Sequence, residues 1–286
     1  MPIHPAPYNI IENFQVKTVG IIVKRDSEEA VEFSGVIAET LNHRGITTEF
    51  GTITPELDLV LILGGDGTLL HTAESAARYS IPVIGINLGN LGFLTELTRD
   101  DTDSAITALL EGEVIMENRQ MLKARLISSE TSSGFRYALN DVVINKNPLD
   151  RLLRLPTSAA DKYITTYKAD GLIFSTPTGS TAYNLSAGGS LVHPALRSIL
   201  VTPICPFMLS SRPIILPADQ IITSKFVTDD PTSVAKVIVD GMDSWEMKPN
   251  DILEIQTAEH DLQLITSSNH DYFSILRNKL KWGSND

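Results

Sequence analysis

Leu59 to Thr68, LVLILGGDGT, sets a carboxylate inside a run of glycines. Leu59-Val60-Leu61-Ile62-Leu63 reads as a buried strand, and Gly64-Gly65-Asp66-Gly67-Thr68 as the turn that leads into a helix. Such a junction suits phosphate, because backbone N–H groups and the helix dipole both face an anion. Asp66 beside a phosphate is repulsive unless it has a separate task. Two tasks fit: taking the proton of a hydroxyl that attacks the phosphorus, or holding Mg²⁺ through water. Phosphoryl transfer is mainly positioning and charge neutralisation, with a carboxylate orienting the nucleophile. The turn is neither G-x-G-x-x-G nor G-x-x-x-x-G-K-[ST], so it is no dinucleotide fingerprint and no P-loop. A glycine turn with Asp also closes α/β units for structural reasons alone, and that reading stays open at this point.

Three other stretches could contact a ligand. Ser175 to Ser190, STPTGSTAYNLSAGGS, carries eight hydroxyls, three glycines and no charge. A linker can have that composition. Tyr183, Leu185 and the apolar flanks place this one inside a domain, where dense hydroxyls suit a polar neutral ligand such as ribose or an amide. Asn140-Asp141, Asp170-Gly171 and Asp240-Gly241 stand at the ends of apolar runs. Any one of them alone is an ordinary turn; together they suit ribose hydroxyls or an amino group. Asn87 to Thr95, NLGNLGFLT, follows an apolar strand, and ligands bind at the carboxyl ends of strands in open α/β sheets. Phe93 fits either the core or a stack on a base.

The elements that must position these residues fall into two textures. Val19–Lys24, 46–50, Leu57–Leu63 and Pro82–Asn87 read as strands, alternating with helices over 27–43 and Leu69–Tyr79. Ser27 is the expected N-cap, with Phe33, Val36, Ile37 and Leu41 on one helical face. Strand–helix alternation without hairpins means a Rossmann-like parallel α/β sheet. After a helix over Thr102–Glu111 the pattern changes to short strands. They are read at Met121–Ile127, Arg136–Ile144, Tyr163–Lys168, Gly171–Ser175, Lys225–Val227, Val234–Asp240, Asp251–Thr257 and Leu262–Thr266. That is the signature of an all-β sandwich. A final helix over Asp271–Trp282, capped by Gly283, is expected to dock back on the first domain. The expected division is 1–98, completed by 271–286, and 99–270. Residues 1–15 read as an irregular arm.

The composition bounds the function. The chain has 286 residues, 42% hydrophobic and 20% charged, and one cysteine, Cys205. That excludes an internal disulfide and fits a reducing compartment. No histidine spacing suggests a caged transition metal, so no protein metal ligand is assigned. No signal peptide and no apolar run of membrane-spanning length is visible, so the expectation is a cytoplasmic protein with no membrane partner. The net charge of −12 argues against nucleic acid.

GGDGT at 64–68, NLGNLGFLTE at 87–96, Asn140-Asp141 and KADGLIFSTPTGSTAYNLSAGG at 168–189 together resemble the NAD kinase family in order and spacing. The resemblance covers roughly 17–282, and the TPTGSTAYNLSAGG stretch is its most specific part. It implies transfer of the γ-phosphate of ATP, in some members of polyphosphate, to the 2′-hydroxyl of the adenosine ribose of NAD. Mg²⁺ or another divalent metal accompanies the donor, and the product is NADP. It also implies an α/β domain followed by a β-sandwich, and a homodimer or homotetramer. By motif position Asp66 is the proton acceptor, with Gly64, Gly65, Gly67 and Thr68 forming the phosphate-donor loop. Asp66, Gly67, His71 and Phe93 approach NAD, Phe93 near its adenine. Asn140 and Asp141 bind the adenosine ribose. Arg151 and Lys168 stand where a basic ligand contact is common, and Asp170 where an acid meets the nicotinamide amide. Thr181, Ala182, Tyr183, Asn184, Leu185 and Ser186 form the loop around the dinucleotide. Met242 stands where members often have Gln, so that contact is not carried over. Lys168 stands where relatives have Arg or His, which leaves NAD or NADH as the preferred acceptor open.

Two alternatives are kept beside this reading. A non-catalytic NAD(P)-binding sensor would have no use for the acid in the glycine turn. A lipid kinase sharing GGDGT would want a basic amphipathic face for membrane, and none is visible.

Overall fold

The structure is a computed structural model that describes residues 9–89, 92–129, 131–266 and 272–282. Residues 1–8 of the expected arm, Asn90 and Leu91 of the NLGNLGFLTE stretch, Asp271 and the expected cap Gly283 lie outside the described residues. The chain divides into two compact units, residues 1–118 with 262–286, and residues 119–261.

The first unit begins β1 (Asn9–Ile11), β2 (Thr18–Val23), α1 (Glu28–His43), β3 (Thr47–Phe50), β4 (Leu59–Leu63), α2 (Asp66–Arg78), β5 (Val83–Asn87), β6 (Leu97–Thr98), α3 (Thr102–Glu111) and β7 (Val114–Arg119). β2 pairs parallel with β3 and β4, and β4 with β5. Every residue of β4 is buried, as a strand covered on both faces must be. α1 starts where its sequence says it should: Ser27 Oγ accepts from Ala30 N–H at 3.3 Å. Its buried stripe is Ala30, Phe33, Ile37 and Leu41, and Gly45 at φ 82° turns the chain out of the helix. Val36, expected on that face, is exposed.

α2 starts at Asp66, not at Leu69. The glycines that suggested an open turn are confined to Gly64 and the N-cap Gly65, and Asp66, Gly67 and Thr68 already form the first helical turn. The first unit also extends past residue 98, where the sequence suggested its end. α3 and β7 bury Ile106, Leu109, Val114 and Met116 in the same core cluster as Ile21, Leu61 and Ile86.

The second unit contains β8 (Leu122–Ile127), β9 (Arg136–Ala138), β10 (Asp141–Lys146), β11 (Leu153–Ala159), β12 (Lys162–Ala169), β13 (Gly171–Ser175), a 3₁₀ turn at Thr178–Thr181, α4 (Tyr183–Ser186), β14 (Ser198–Ile204), β15 (Ile214–Pro217), β16 (Ile222–Lys225), β17 (Ala235–Val239), β18 (Met242–Met247) and β19 (Ile252–Thr257). They form two six-stranded sheets, β15-β14-β13-β10-β17-β18 and β12-β11-β16-β19-β8-β9. One core joins them, with Leu122, Leu155, Tyr167 and Leu253 from one sheet and Val142, Phe174, Val201 and Val237 from the other.

Two strand assignments are corrected here. Arg136–Ile144 is not one strand: β9 ends at Ala138 in one sheet and β10 begins at Asp141 in the other. Leu139-Asn140 is the crossing between them. The strand expected at Lys225–Val227 is instead Ile222–Lys225. β11 and β14 escape a sequence reading because each holds a proline, Pro156 and Pro203. Both are tolerated: β16 pairs only with Thr157–Ala159, and β15 only with Ser198–Val201, so neither ladder needs the missing N–H.

The chain then returns to the first unit as β20 (Leu262–Thr266) and α5 (Tyr272–Leu280). β20 pairs parallel with β5, and the first sheet runs β1-β7-β20-β5-β4-β2-β3 with β6 also on β5. The Leu262–Thr266 strand thus belongs to the α/β unit and not to the sandwich. Its alternating pattern is compatible with either sheet, which is why sequence alone misplaced it. α5 buries Ile275 and Leu276. No described helix is long and apolar enough to cross a membrane.

Candidate active site

In the first unit the acid of the glycine turn has defined partners. Asp66 Oδ1 accepts from Leu94 N–H at 3.1 Å, Thr95 N–H at 3.1 Å and Thr95 Oγ1 at 3.0 Å. Asp66 Oδ2 accepts from Phe93 N–H at 2.9 Å. The carboxylate therefore ties the start of α2 to the turn between β5 and β6. Gly92 is required there, because a methyl group on it would overlap Asp66 Oδ1. Oδ1 is saturated, while Oδ2 carries one hydrogen bond among the described residues and keeps acceptor capacity. Phe93 is half-buried.

The glycine turn lies beside a cleft of about 860 Å³ lined by the ends of β2 and β3 and by the first turns of α2. Gly67, Thr68 and His71 face it, with His71 exposed. Lys24 and Arg25, which the sequence reading passed over, face it too. Their signal was available: they directly follow β2, and carboxyl ends of parallel strands are where anions are met.

In the second unit a different carboxylate does the positioning. Asp240 Oδ2 accepts from Leu139 N–H at 2.7 Å, and Oδ1 from Asn140 and Asp141 N–H at 2.8 and 3.0 Å. Three consecutive amides of the sheet crossing are held by one acid at the β17–β18 turn, where Asp240 and Gly241 take φ of 47° and 78°. From the other side Thr176 Oγ1 donates to Leu139 O at 2.6 Å and accepts Gly179 N–H at 2.9 Å. The hydroxyl-rich stretch is therefore a folded buttress and not a linker. It presents Asn140 and Asp141 with side chains that receive no hydrogen bond from a described residue.

Asp141 is buried, and its carboxyl is pushed up to about 7, first by burial and then by the charge of Asp240. Asp240 is raised to about 6 by burial, against the pull of its three amides. The Tyr183 hydroxyl is raised by burial, then by the charges of Cys205, Asp141 and Asp170, so these groups share one neighbourhood. A second opening, lined by Lys146, Arg151, Lys168 and Asp170, brings together three residues expected at the site. Lys146 Nζ stands 3.6 Å from Asp170 Oδ1.

The loop at 181–186 divides in role. Tyr183 and Ser186 are exposed, and Thr181, Ala182 and Leu185 half-buried. Asn184 is fully buried: its amide donates to Ser180 O at 3.3 Å and Ser190 O at 3.1 Å, and accepts Thr202 Oγ1 at 2.7 Å. Its side chain is consumed by these bonds and holds the loop to β14. The Thr178 hydroxyl, 5% exposed, has no hydrogen-bond partner among the described residues.

The ATP-NAD kinase N-terminal domain model matches residues 50–114, and the ATP-NAD kinase C-terminal domain model residues 139–267. The chain belongs to the NAD kinase family. It is 39% identical over 286 residues to the NAD kinase of Geotalea daltonii, covering 94% of this chain and 99% of the relative. It is 45% identical over 229 residues to the NAD kinase of Syntrophobacter fumaroxidans, covering 80% of each. Among solved structures, yeast NADH kinase complexed with NADH superposes with a TM-score of 0.86 at 24% identity, covering 95% of this chain and 89% of that one. An Archaeoglobus fulgidus NAD kinase in complex with ATP gives 0.75 at 22% identity, covering 92% and 98%. At those identities the likeness establishes the fold, an α/β unit followed by antiparallel sheets and a C-terminal helix. Both NAD kinase domain matches include the residues that the family resemblance singled out, the glycine turn in one and Asn140 to Ser186 in the other.

Proposed function

We propose that this chain is an ATP-dependent NAD kinase, forming NADP by transfer of the ATP γ-phosphate to the 2′-hydroxyl of the NAD adenosine ribose. The observation that carries it is Asp66: a carboxylate fixed by four hydrogen bonds at the mouth of a glycine turn, with spare capacity at Oδ2. The roles run as follows. Asn140 and Asp141 bind ribose hydroxyls, which supply the donors that Asp141 lacks. Tyr183, Arg151, Lys168 and Asp170 line the remainder of the dinucleotide site. The N–H groups of Gly65 and Gly67 face the donor phosphates, while the Thr68 N–H closes the turn on Gly65 O at 2.9 Å. Oδ2 of Asp66 accepts the 2′-hydroxyl proton as the oxygen attacks phosphorus, and Oδ1 stays bound to the 94–95 turn so that the acid does not swing.

A divalent cation enters with the donor. No group of three acids, histidines or cysteines among the described residues forms a cage for it, so phosphate oxygens and water supply most of its shell, as Mg²⁺ favours. Its chemistry there is neutralisation of phosphate charge. The family match on both halves gives no support to the sensor or the lipid kinase. We also propose a cytoplasmic homo-oligomer. A lone cysteine fits a reducing compartment, and exposed Phe207, Met208 and Leu209 offer apolar surface.

The test is a coupled assay with purified protein, ATP, Mg²⁺ and NAD, reading NADP with an NADP-specific dehydrogenase beside a parallel NADH reaction. Asp66→Asn is expected to lower kcat by about 10²–10⁴ while leaving the KM for NAD near wild type. Near-normal turnover by that variant would remove Asp66 from the role of proton acceptor.

A further inference from the structure

We infer that Lys24 and Arg25 are the residues that hold the phosphate chain of the donor, in the cleft beside the glycine turn; this rests on the kinase reading above. A phosphate donor is a polyanion, and the protein carries a net charge of −12. A polyanion reaches such a chain where cations are concentrated locally. The cleft of about 860 Å³ in the first unit has two adjacent cations, Lys24 and Arg25, in its lining, and it is of the size that binds small molecules. Its lining includes Lys24-Arg25 at the end of β2 and, from α2, Gly67 and Thr68 of the donor loop.

Lys24 is built into the glycine turn and not merely near it. Its N–H donates to Leu63 O at 2.8 Å, so the chain leaves β2 alongside the end of β4. A methyl group on Gly64 would sit 2.5 Å from Thr68 Oγ1 and 3.0 Å from Lys24 Cβ. The absence of a side chain at Gly64 therefore lets the Lys24 stem pack on the turn, with its ammonium free to move over the cleft. Lys24 and Arg25 are both exposed, and neither makes an ion pair with a described residue. The two cations are complementary: Lys is a mobile point charge, and Arg a planar fork that grips two phosphate oxygens. They supply the positive charge that the glycine turn lacks, since GGDGT contains no lysine.

The test uses the full chain with Lys24→Met and Arg25→Met, singly and together; Met keeps the stem that packs on Gly64. Each single change is expected to raise the KM for ATP roughly tenfold or more, as loss of a charge-assisted contact does. The KM for NAD and the melting temperature stay at wild-type values, and Lys24→Arg recovers most of the loss. Inorganic tripolyphosphate is expected to compete with ATP on the wild type and much less on the double variant. A double variant with wild-type KM for ATP, or one whose KM for NAD rises equally, overturns the assignment. So does tripolyphosphate that fails to compete. If the wild type makes no NADP, the kinase reading falls by itself, and calorimetric titration of ATP still decides the cleft. Weaker binding by the double variant upholds the assignment, and equal binding overturns it.

Discussion

Two aspartates in this molecule do the same mechanical job with different chemical outcomes. Asp66 and Asp240 each accept from three consecutive backbone amides, Phe93–Thr95 and Leu139–Asp141. Asp66 keeps room for a proton at Oδ2, whereas Asp240 presents its neighbour Asp141. Asp141 and Asp240 are raised from 3.8 to about 7 and about 6. An acid raised on folding holds its proton more tightly in the native state. The stability so gained is complete below about pH 4 and is lost as pH rises through the two folded values. Asp141→Asn is therefore expected to flatten denaturation free energy between about pH 4 and 7. In the wild type the KM for NAD should fall as pH rises through about 7, because only the ionised acid accepts two ribose hydroxyls. The Asn variant should show a higher KM with little slope, and a slope equal to wild type would show that Asp141 does not titrate on the ligand. These acids were visible in the sequence as types at the ends of apolar runs. That Asp240 would serve Asp141 was not, since the two are brought together only by the pairing of β10 with β17.

At the scale of elements, the most consequential break is the one between β9 and β10. The sequence offers RYALNDVVI as two apolar runs interrupted only by Asn140-Asp141, and a single strand is the natural reading. The structure spends Leu139 and Asn140 on crossing from one sheet to the other, which leaves their backbone groups without a ladder. Asp240 and Thr176 satisfy those groups, and Gly179 lies so close that a methyl group would overlap Asn140 O. Gly179→Ala is accordingly expected to cost about 1–3 kcal/mol through overpacking. It should also raise the KM for NAD by displacing Asn140 and Asp141; a thermal melt and a saturation curve measure both, and an unchanged melt would show that the buttress yields freely. Helices were easier to read than this crossing. α1 and α3 carry their own signals, a Ser27 cap and a Gly112 stop, which need no distant partner. α2 was read late by three residues because two glycines just before Asp66 obscured a start that Gly65 in fact caps.

At the scale of the whole molecule, the fold class and the family were legible because apolar periodicity and short motifs are local properties. The boundaries were not, because they depend on which sheet finally receives a strand. α3, β7 and β20 all join the first unit, beyond the limits that texture alone suggested. β20 stands inside the first sheet, between β7 and β5, with Leu262, Leu264 and Ile265 buried. A chain cut after Asp261 is expected to lose the cooperative melting of its α/β unit. Circular dichroism of that truncated chain against the full one checks this, and an unchanged melt would mean that β5 and β7 close up without β20.

The same placement of β20 sets an order of events during synthesis. Residues 119–261 form an unbroken stretch that holds every strand of both sandwich sheets. They can close their core as soon as they leave the ribosome. The unit begun before them must wait, with an internal gap in its sheet, until β20 has emerged. For most chains the N-terminal domain is finished first. Here the glycine turn is made before the sandwich, yet the sheet that carries it is completed only by β20, so a nascent chain lacks a finished donor site until the whole sandwich has been synthesised.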